Sequence, residues 1–180
     1  MHGSGGFSLF DTALGCCAIA WGEAGIVGVQ LPEGDSAATR ARLQRRFPLL
    51  AEAAPPPEVA AAISGVQAML RGERIDLQAT RLDMSGVPPF HQRVYALALA
   101  LQPGQTTTYG ALAQQLGEPG AARAVGQALG DNPFAPIVPC HRVLAAHGRS
   151  GGFSAHGGAI TKLRMLAIEG AAPNGQPSLF

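Results

Sequence analysis

An α/β N-terminal domain followed by a mainly α C-terminal domain is the architecture this sequence predicts, and three observations carry it. Residues 7–31 hold short β-prone runs separated by turn signals at Gly15, Gly22-Glu23 and Glu33-Gly34. Residues 36–71 hold two helical patterns separated by Pro55-Pro56-Pro57. Beyond the Gly- and Pro-rich break at Met84 to Pro89 the apolar period is that of helices. The domain boundary is placed at this break, dividing 1–86 from 87–180.

In the first domain, Ile26, Val27 and Val29 read as a strand buried on at least one face. Ser36 is the expected cap of a helix over Ala37 to Phe47. Its Arg40, Arg42, Arg45 and Arg46 read first as a solvated face and second as a phosphate clamp. A second helix is expected over Glu58 to Arg71, and a further strand over Leu77 to Leu82.

In the second domain, Phe90, Val94, Leu97 and Leu101 share one helical face, and Pro103-Gly104 ends that helix. Thr108 is the expected N-cap of a short helix, Tyr109 to Leu116. Gly117-Glu118-Pro119-Gly120 is a turn, and Ala121 to Leu129 a further helix. Helix, four-residue turn and helix is helix-turn-helix spacing, which helical hairpins that bind nothing also share. The outer face of the second helix offers Ala121, Ala124 and Gly126 beside Arg123. Such a face suits entry into a minor groove about 6 Å wide; it equally suits a plain Ala-rich helix.

Composition bounds the function. The chain has 180 residues, 47% hydrophobic and 14% charged, with net charge +1. This is a globular composition. Residues 1–89 are net −2 and residues 90–180 net +3, so the C-terminal part is mildly basic, compatible with DNA. The three cysteines, Cys16, Cys17 and Cys140, make no disulfide framework. Cys16 and Cys17 read as small apolar strand residues, and with His2 and His91 they form no recognisable metal-ligand set. No signal peptide is expected at residues 1–6, and the longest apolar run, Val94 to Leu101, is too short to span a membrane. A cytoplasmic, soluble protein is expected.

The chemistry concentrates near Cys140. Pro133, Pro136 and Pro139 forbid a helix before it, so the chain is expected to arrive extended and stiff. In an extended chain neighbouring side chains point to opposite faces. His141 is therefore not expected to bond the Cys140 sulfur directly, and a water relay is easier to build. A free thiol has a pKa near 8.5 and needs activation. Neutral His141 is a candidate base through that water, with a carboxylate holding its imidazolium. Glu169 is the candidate carboxylate, at the end of a helix over Ala159 to Ile168 that Gly170 stops. A carboxylate at a helix C-terminus is electrostatically misplaced; it is either specifically partnered or well solvated, and sequence alone leans to the solvated reading.

Taken together, Gln105-Thr106-Thr107-Thr108-Tyr109-Gly110, Ala121-Ala122-Arg123-Ala124-Val125-Gly126, Asn132-Pro133, Ile137-Val138-Pro139-Cys140-His141-Arg142-Val143 and Glu169-Gly170 resemble, in order and spacing, the O6-alkylguanine-DNA alkyltransferases. The resemblance covers roughly residues 90–171. More loosely, Phe10-Asp11-Thr12 and the following hairpin resemble the family's ribonuclease-H-like domain. A winged-helix-like helix-turn-helix is implied for the second domain.

The resemblance implies that Cys140 takes the alkyl carbon from guanine O6, with thymine O4 a second donor position, and keeps it as a thioether. His141 is then the base through water, held by Glu169. Asn132 orders the turn carrying the cysteine, and Tyr109 hydrogen-bonds the guanine and protonates it as it leaves. Arg123 fills the stack behind the flipped base. The helix bearing Ala121, Ala122 and Gly126, with Thr108, contacts DNA through the minor groove. Val143, Ser154, Phe153, Ala135 and Lys162 belong to the substrate pocket. Double-stranded DNA carrying O6-alkylguanine is the implied partner, with no metal or cofactor, no membrane, and a monomeric protein. The loop 151–158 is about two residues longer than in familiar members, Phe153 stands where Tyr is common, and Ala135 where Pro or Ser is. The competing reading is an alkyltransferase-like lesion-binding or alkylation-sensing protein without repair; Cys140 speaks against it.

Overall fold

Side-chain alternation along the N-terminal strands decides how they layer. The computed structural model describes residues 5–145 and 158–171. Strands β1 (Gly6–Thr12), β2 (Gly15–Gly22) and β3 (Gly25–Gln30) form an antiparallel sheet in the order β1-β2-β3. In β2, Cys17, Ile19 and Trp21 face one side and Ala18 and Ala20 the other, the period-two pattern of a strand buried on both faces. Helix α1 (Ser36–Arg46) covers the alanine side through Leu43, and α2 (Pro57–Leu70) covers the other through Val59, Ala62 and Val66.

Local chemistry corrects two expected boundaries. The α1 cap is Asp35, not Ser36, because the Asp35 carboxylate accepts the Ala38 N–H at 2.8 Å. Helix α2 starts at Pro57, whose missing N–H costs nothing in a first turn. The strand expected over Leu77 to Leu82 does not form. Thr80 N–H closes a turn onto the Leu77 carbonyl, and a single bridge joins Leu82 to Ile26.

The remaining elements are α3 (Pro89–Leu99), β4 (Thr107–Thr108), α4 (Tyr109–Gln115), α5 (Ala122–Gly130), a 3-10 turn (Cys140–Arg142), β5 (Val143–Leu144) and α6 (Ala159–Ile168). The fully buried face of α3 is Val94, Tyr95 and Ala98, rotated slightly from the predicted stripe; Phe90 and Leu97 lie on its edge and Leu101 beyond its end. That rotation lets the buried Tyr95 hydroxyl reach the Ala128 carbonyl at 2.6 Å. Thr108 caps α4, accepting the Ala111 N–H at 3.1 Å. Helices α4 and α5 pack through Leu112, Ala113, Val125 and Leu129 across the turn at 116–121. Arg93 of α3 braces that turn by donating to the Leu116 carbonyl at 2.8 Å.

One apolar cluster runs from Phe10 and Ile19 through α2 and α3 to Val125, Ile137, Val143 and Met165. The two halves of the chain therefore bury their apolar surface against each other as well as within themselves.

Candidate active site

The segment that delivers Cys140 is not extended. Residues 133–138 fold into consecutive turns, with Ile137 N–H on the Phe134 carbonyl at 2.8 Å and Cys140 N–H on the Val138 carbonyl at 2.8 Å. The prolines exclude an α-helix here, but a proline's fixed φ suits a tight turn as well as a strand. Asn132 closes the arrangement. Its carbonyl oxygen accepts the Phe134 N–H at 2.9 Å, and its amide donates to the Val138 carbonyl at 2.8 Å.

Cys140 opens the 3-10 turn and is 4% exposed. Burial pushes its thiol up from the usual range; a hydrogen bond from Asn132, the Lys162 charge and nearby backbone N–H groups pull the other way. In a 3-10 turn successive side chains diverge by about a third of a rotation. Cys140 and His141 thus point apart, for a different reason than extended geometry.

His141 is buried, and its Nε2 lies 2.8 Å from Glu169 Oε1. An ionised carboxylate can only accept, so Nε2 carries the proton. Burial lowers the imidazole pKa against the opposing pull of Glu169, which leaves His141 neutral at neutral pH with Nδ1 as a free lone pair. Nδ1 is also buried and has no hydrogen-bond partner among the described residues.

Glu169 caps α6, where Gly170 takes a left-handed φ of +78° and Ala171 N–H returns to the Leu166 carbonyl at 2.9 Å. Its side chain is 3% exposed, which corrects the solvated reading. Arg142 is the reason: Nε and Nη2 reach the Glu169 oxygens at 2.9 and 2.6 Å, and Nη1 donates to the Leu101 carbonyl at 2.6 Å. The Gly104 N–H adds a longer bond of 3.3 Å. Burial pushes the carboxyl up, but the His141 and Arg142 hydrogen bonds and charges outweigh it and hold the pKa at about 2. These partners offset the unfavourable end of the helix dipole.

On the other side of the thiol, Lys162 is buried and donates to the Val143 carbonyl at 2.8 Å. Its ammonium lies 5.8 Å from the centre of the Tyr109 ring, and burial lowers its pKa to about 8. Tyr109 is half-buried, its pKa raised by burial and by Cys140. It packs on Gly126 of α5, where a Cβ would stand 3.4 Å from the ring. Arg123 and Ala124 are exposed on α5, and Ala121, Ala122, Gly126 and Thr108 are partly exposed. Ala135 and Asn132 line, with Cys140, a cleft of about 370 Å³. The structure thus gathers Cys140, His141, Glu169, Asn132, Tyr109, Lys162 and Val143. Ser154 and Phe153 lie outside the described residues. Among the described residues no group of three or more His, Cys, Asp or Glu is placed to hold a metal ion, and no helix is long and apolar enough to cross a membrane.

Sequence reasoning assigned no role to Arg142, and it read Arg46 first as part of a solvated face, whereas the Arg46 guanidinium is half-buried on the Val29 and Pro133 carbonyls. Arg142 sits inside the quoted motif, but nothing local distinguishes an exposed arginine from one clamped on a carboxylate 27 positions away. For Arg46 a signal exists: Gly28, a residue without a side chain inside a β-branched strand, marks a close approach.

Fold and site together define a class: a helix-turn-helix protein with a buried thiol, a buried histidine and a carboxylate clamped between that histidine and an arginine. The family model described as 6-O-methylguanine DNA methyltransferase, DNA binding domain, matches residues 89–171. The chain is 46% identical over 110 residues to the methylated-DNA–protein-cysteine methyltransferase of Mycobacterium leprae, covering 61% of this chain and 64% of that one. It is 41% identical to the protein of the same name from Mycobacterium tuberculosis, covering 66% and 70%. A crystal structure of Mycobacterium tuberculosis OGT in complex with DNA superposes with a TM-score of 0.72 at 32% identity, over 95% of this chain and 94% of that chain. The chain belongs to the methylated-DNA–protein-cysteine methyltransferase family.

Proposed function

We propose that this chain repairs DNA by one irreversible transfer of an alkyl group, chiefly methyl, from guanine O6 to the sulfur of Cys140, with thymine O4 a second substrate position. The observation that carries the reading is the His141 ring. Its Nε2–H is fixed on Glu169, and its Nδ1 is left as a buried, unpartnered base one residue from a buried thiol. A water between Nδ1 and Sγ relays the thiol proton to the imidazole. The sulfur then attacks the alkyl carbon. A C–S bond forms, the C–O6 bond breaks, and its electron pair passes to guanine, which takes a proton from the Tyr109 hydroxyl. Lys162 holds positive charge beside both groups while the thiolate exists. The thioether has no good leaving group, so the protein reacts once.

The substrate base must leave the duplex to reach a thiol this buried. Helix α5 supplies the means: a small-residue face for close approach in the minor groove, and exposed Arg123 to occupy the vacated stack. Val143 and Ala135 wall the base pocket in this reading; Ser154 and Phe153, which the sequence resemblance assigns to it, lie outside the described residues. We read the N-terminal α/β part as ribonuclease-H-like, the part from residue 87 as winged-helix-like, and the protein as a cytoplasmic monomer on double-stranded DNA.

Intact-mass measurement tests the reaction. Incubation with O6-methylguanine duplex or free O6-benzylguanine is expected to add one methyl or one benzyl group, located on the Cys140 peptide. Tight lesion binding with an unmodified protein would instead support a lesion-marking role. Arg123→Ala is expected to slow transfer from duplex DNA on the order of tenfold or more while leaving the rate with free benzylguanine unchanged, because only the duplex base has to be flipped and kept out. Equal slowing on both substrates would remove Arg123 from that role.

A further inference from the structure

Arg46, the last residue of α1, sends its guanidinium across the outer edge of β3, the last strand in the sheet order. Nη1 donates to the Val29 carbonyl at 2.7 Å and to Gln30 Oε1 at 3.1 Å, and Nη2 donates to the Pro133 carbonyl at 3.2 Å. The same Pro133 carbonyl accepts the Val29 N–H at 2.8 Å. The guanidinium carbon sits 5.1 Å from the centre of the Phe47 ring, a cation–π contact. Gly28 makes room for it: a Cβ there would stand 2.8 Å from Arg46 Nη2 and 2.7 Å from the Phe47 ring. Neighbouring arginines are spent differently, Arg40 on Glu52 at 3.1 Å, with Arg42 exposed.

Pro133 follows Asn132, whose amide closes the turn that presents Cys140. The only covalent path from the sheet to that turn runs through about a hundred residues, so a direct tie between them fixes what the chain itself leaves free. We propose that Arg46 is a positioning residue for the alkyl transfer: it clamps the Asn132–Val138 turn to the edge of the N-terminal sheet and so holds the Cys140 sulfur in register with Asn132 and the Tyr109 pocket. Lysine replaces it only in part, since one ammonium does not span two strand acceptors and the Pro133 carbonyl in a planar fork.

The inference rests on the transfer reaction, and the test separates the two. Single-turnover rates with free O6-benzylguanine are measured for the parent, Arg46→Ala, Arg46→Lys and Gly28→Ala, each checked for folding by circular dichroism. Undamaged-duplex affinity and the pH dependence of the rate are measured alongside. A parent that takes no alkyl group from either free O6-benzylguanine or O6-methylguanine duplex would sink the transfer reading itself. With a reactive parent, Arg46→Ala is expected to be slower by about tenfold, as a small misplacement of reacting groups costs, with its pH–rate midpoint moved upward as the Asn132 bond to the thiol loosens. Arg46→Lys is expected to fall between, and duplex affinity to stay within about twofold of the parent, since Arg46 touches neither α4 nor α5. Gly28→Ala keeps the arginine but displaces its head, and is expected to reproduce the slowing; it carries the test if Arg46→Ala does not fold. Rates within twofold of the parent, an unmoved pH midpoint, or a loss of duplex affinity in step with the rate would each overturn the inference.

Discussion

Replacing Cys140 with serine is expected to abolish alkyl transfer, a loss of at least about a thousandfold, while the fold and DNA affinity persist. A serine hydroxyl ionises far above a thiol, so the His141 relay that suffices for sulfur does not produce an alkoxide. Serine retains the small volume at this 4%-exposed position and can keep the Asn132 hydrogen bond, so the stability change is about 1 kcal/mol. Intact mass after incubation with benzylguanine, together with duplex affinity, checks both halves. A benzyl adduct on the serine variant would place the nucleophile elsewhere; Cys17 is the poor alternative, since burial pushes its thiol up to about 12.

Glu169→Gln is expected to have the largest effect on stability. The glutamine leaves Arg142 buried with a charge no carboxylate balances, and such a half-broken buried pair costs about 3–5 kcal/mol. For a chain of this size that lowers Tm by roughly 10 °C, readable by calorimetry. Transfer slows as well, because His141 loses the carboxylate that fixes its tautomer and stabilises its imidazolium.

Acid sensitivity gives a second readout with a defined sign. The folded Glu169 carboxyl is held at about 2, below the roughly 4.3 of an unfolded glutamate. Its stabilisation is therefore fully present above about pH 4.3 and is lost as pH falls through the folded value. His141 acts in the same direction at higher pH. Burial lowers its pKa, so the unfolded chain takes up the proton first, and stability falls once pH drops below about 6.5. The parent's urea midpoint is expected to decline in both windows. Glu169→Gln is expected to lack the lower contribution, and an identical acid profile for the two would contradict the clamp.

What the sequence determined by itself is what depends on neighbours in the chain. The three strands follow from alternation and turn residues, α4 from the Thr108 cap, and the end of α6 from Gly170. The Pro-Cys-His-Arg-Val run singles out the proposed nucleophile and its proposed base without any structure. The failures have one physical cause. Prolines at every third position before Cys140 are compatible with an extended chain and with stacked turns, and the choice was made by Asn132 reaching six residues ahead to the Val138 carbonyl. The segment 77–82 has strand-like residues, but only a single bridge to Ile26 is available to it.

Tertiary structure alone decided the charges. Whether Glu169 is solvated or clamped depends on Arg142, 27 positions earlier, and whether Arg46 faces water or the nucleophile's turn depends on Pro133, 87 positions later. Both arginines look like ordinary surface residues in the sequence. Hydrogen bonds and ion pairs of this kind gain most of their strength from burial, and burial is a property of the assembled core rather than of any local pattern.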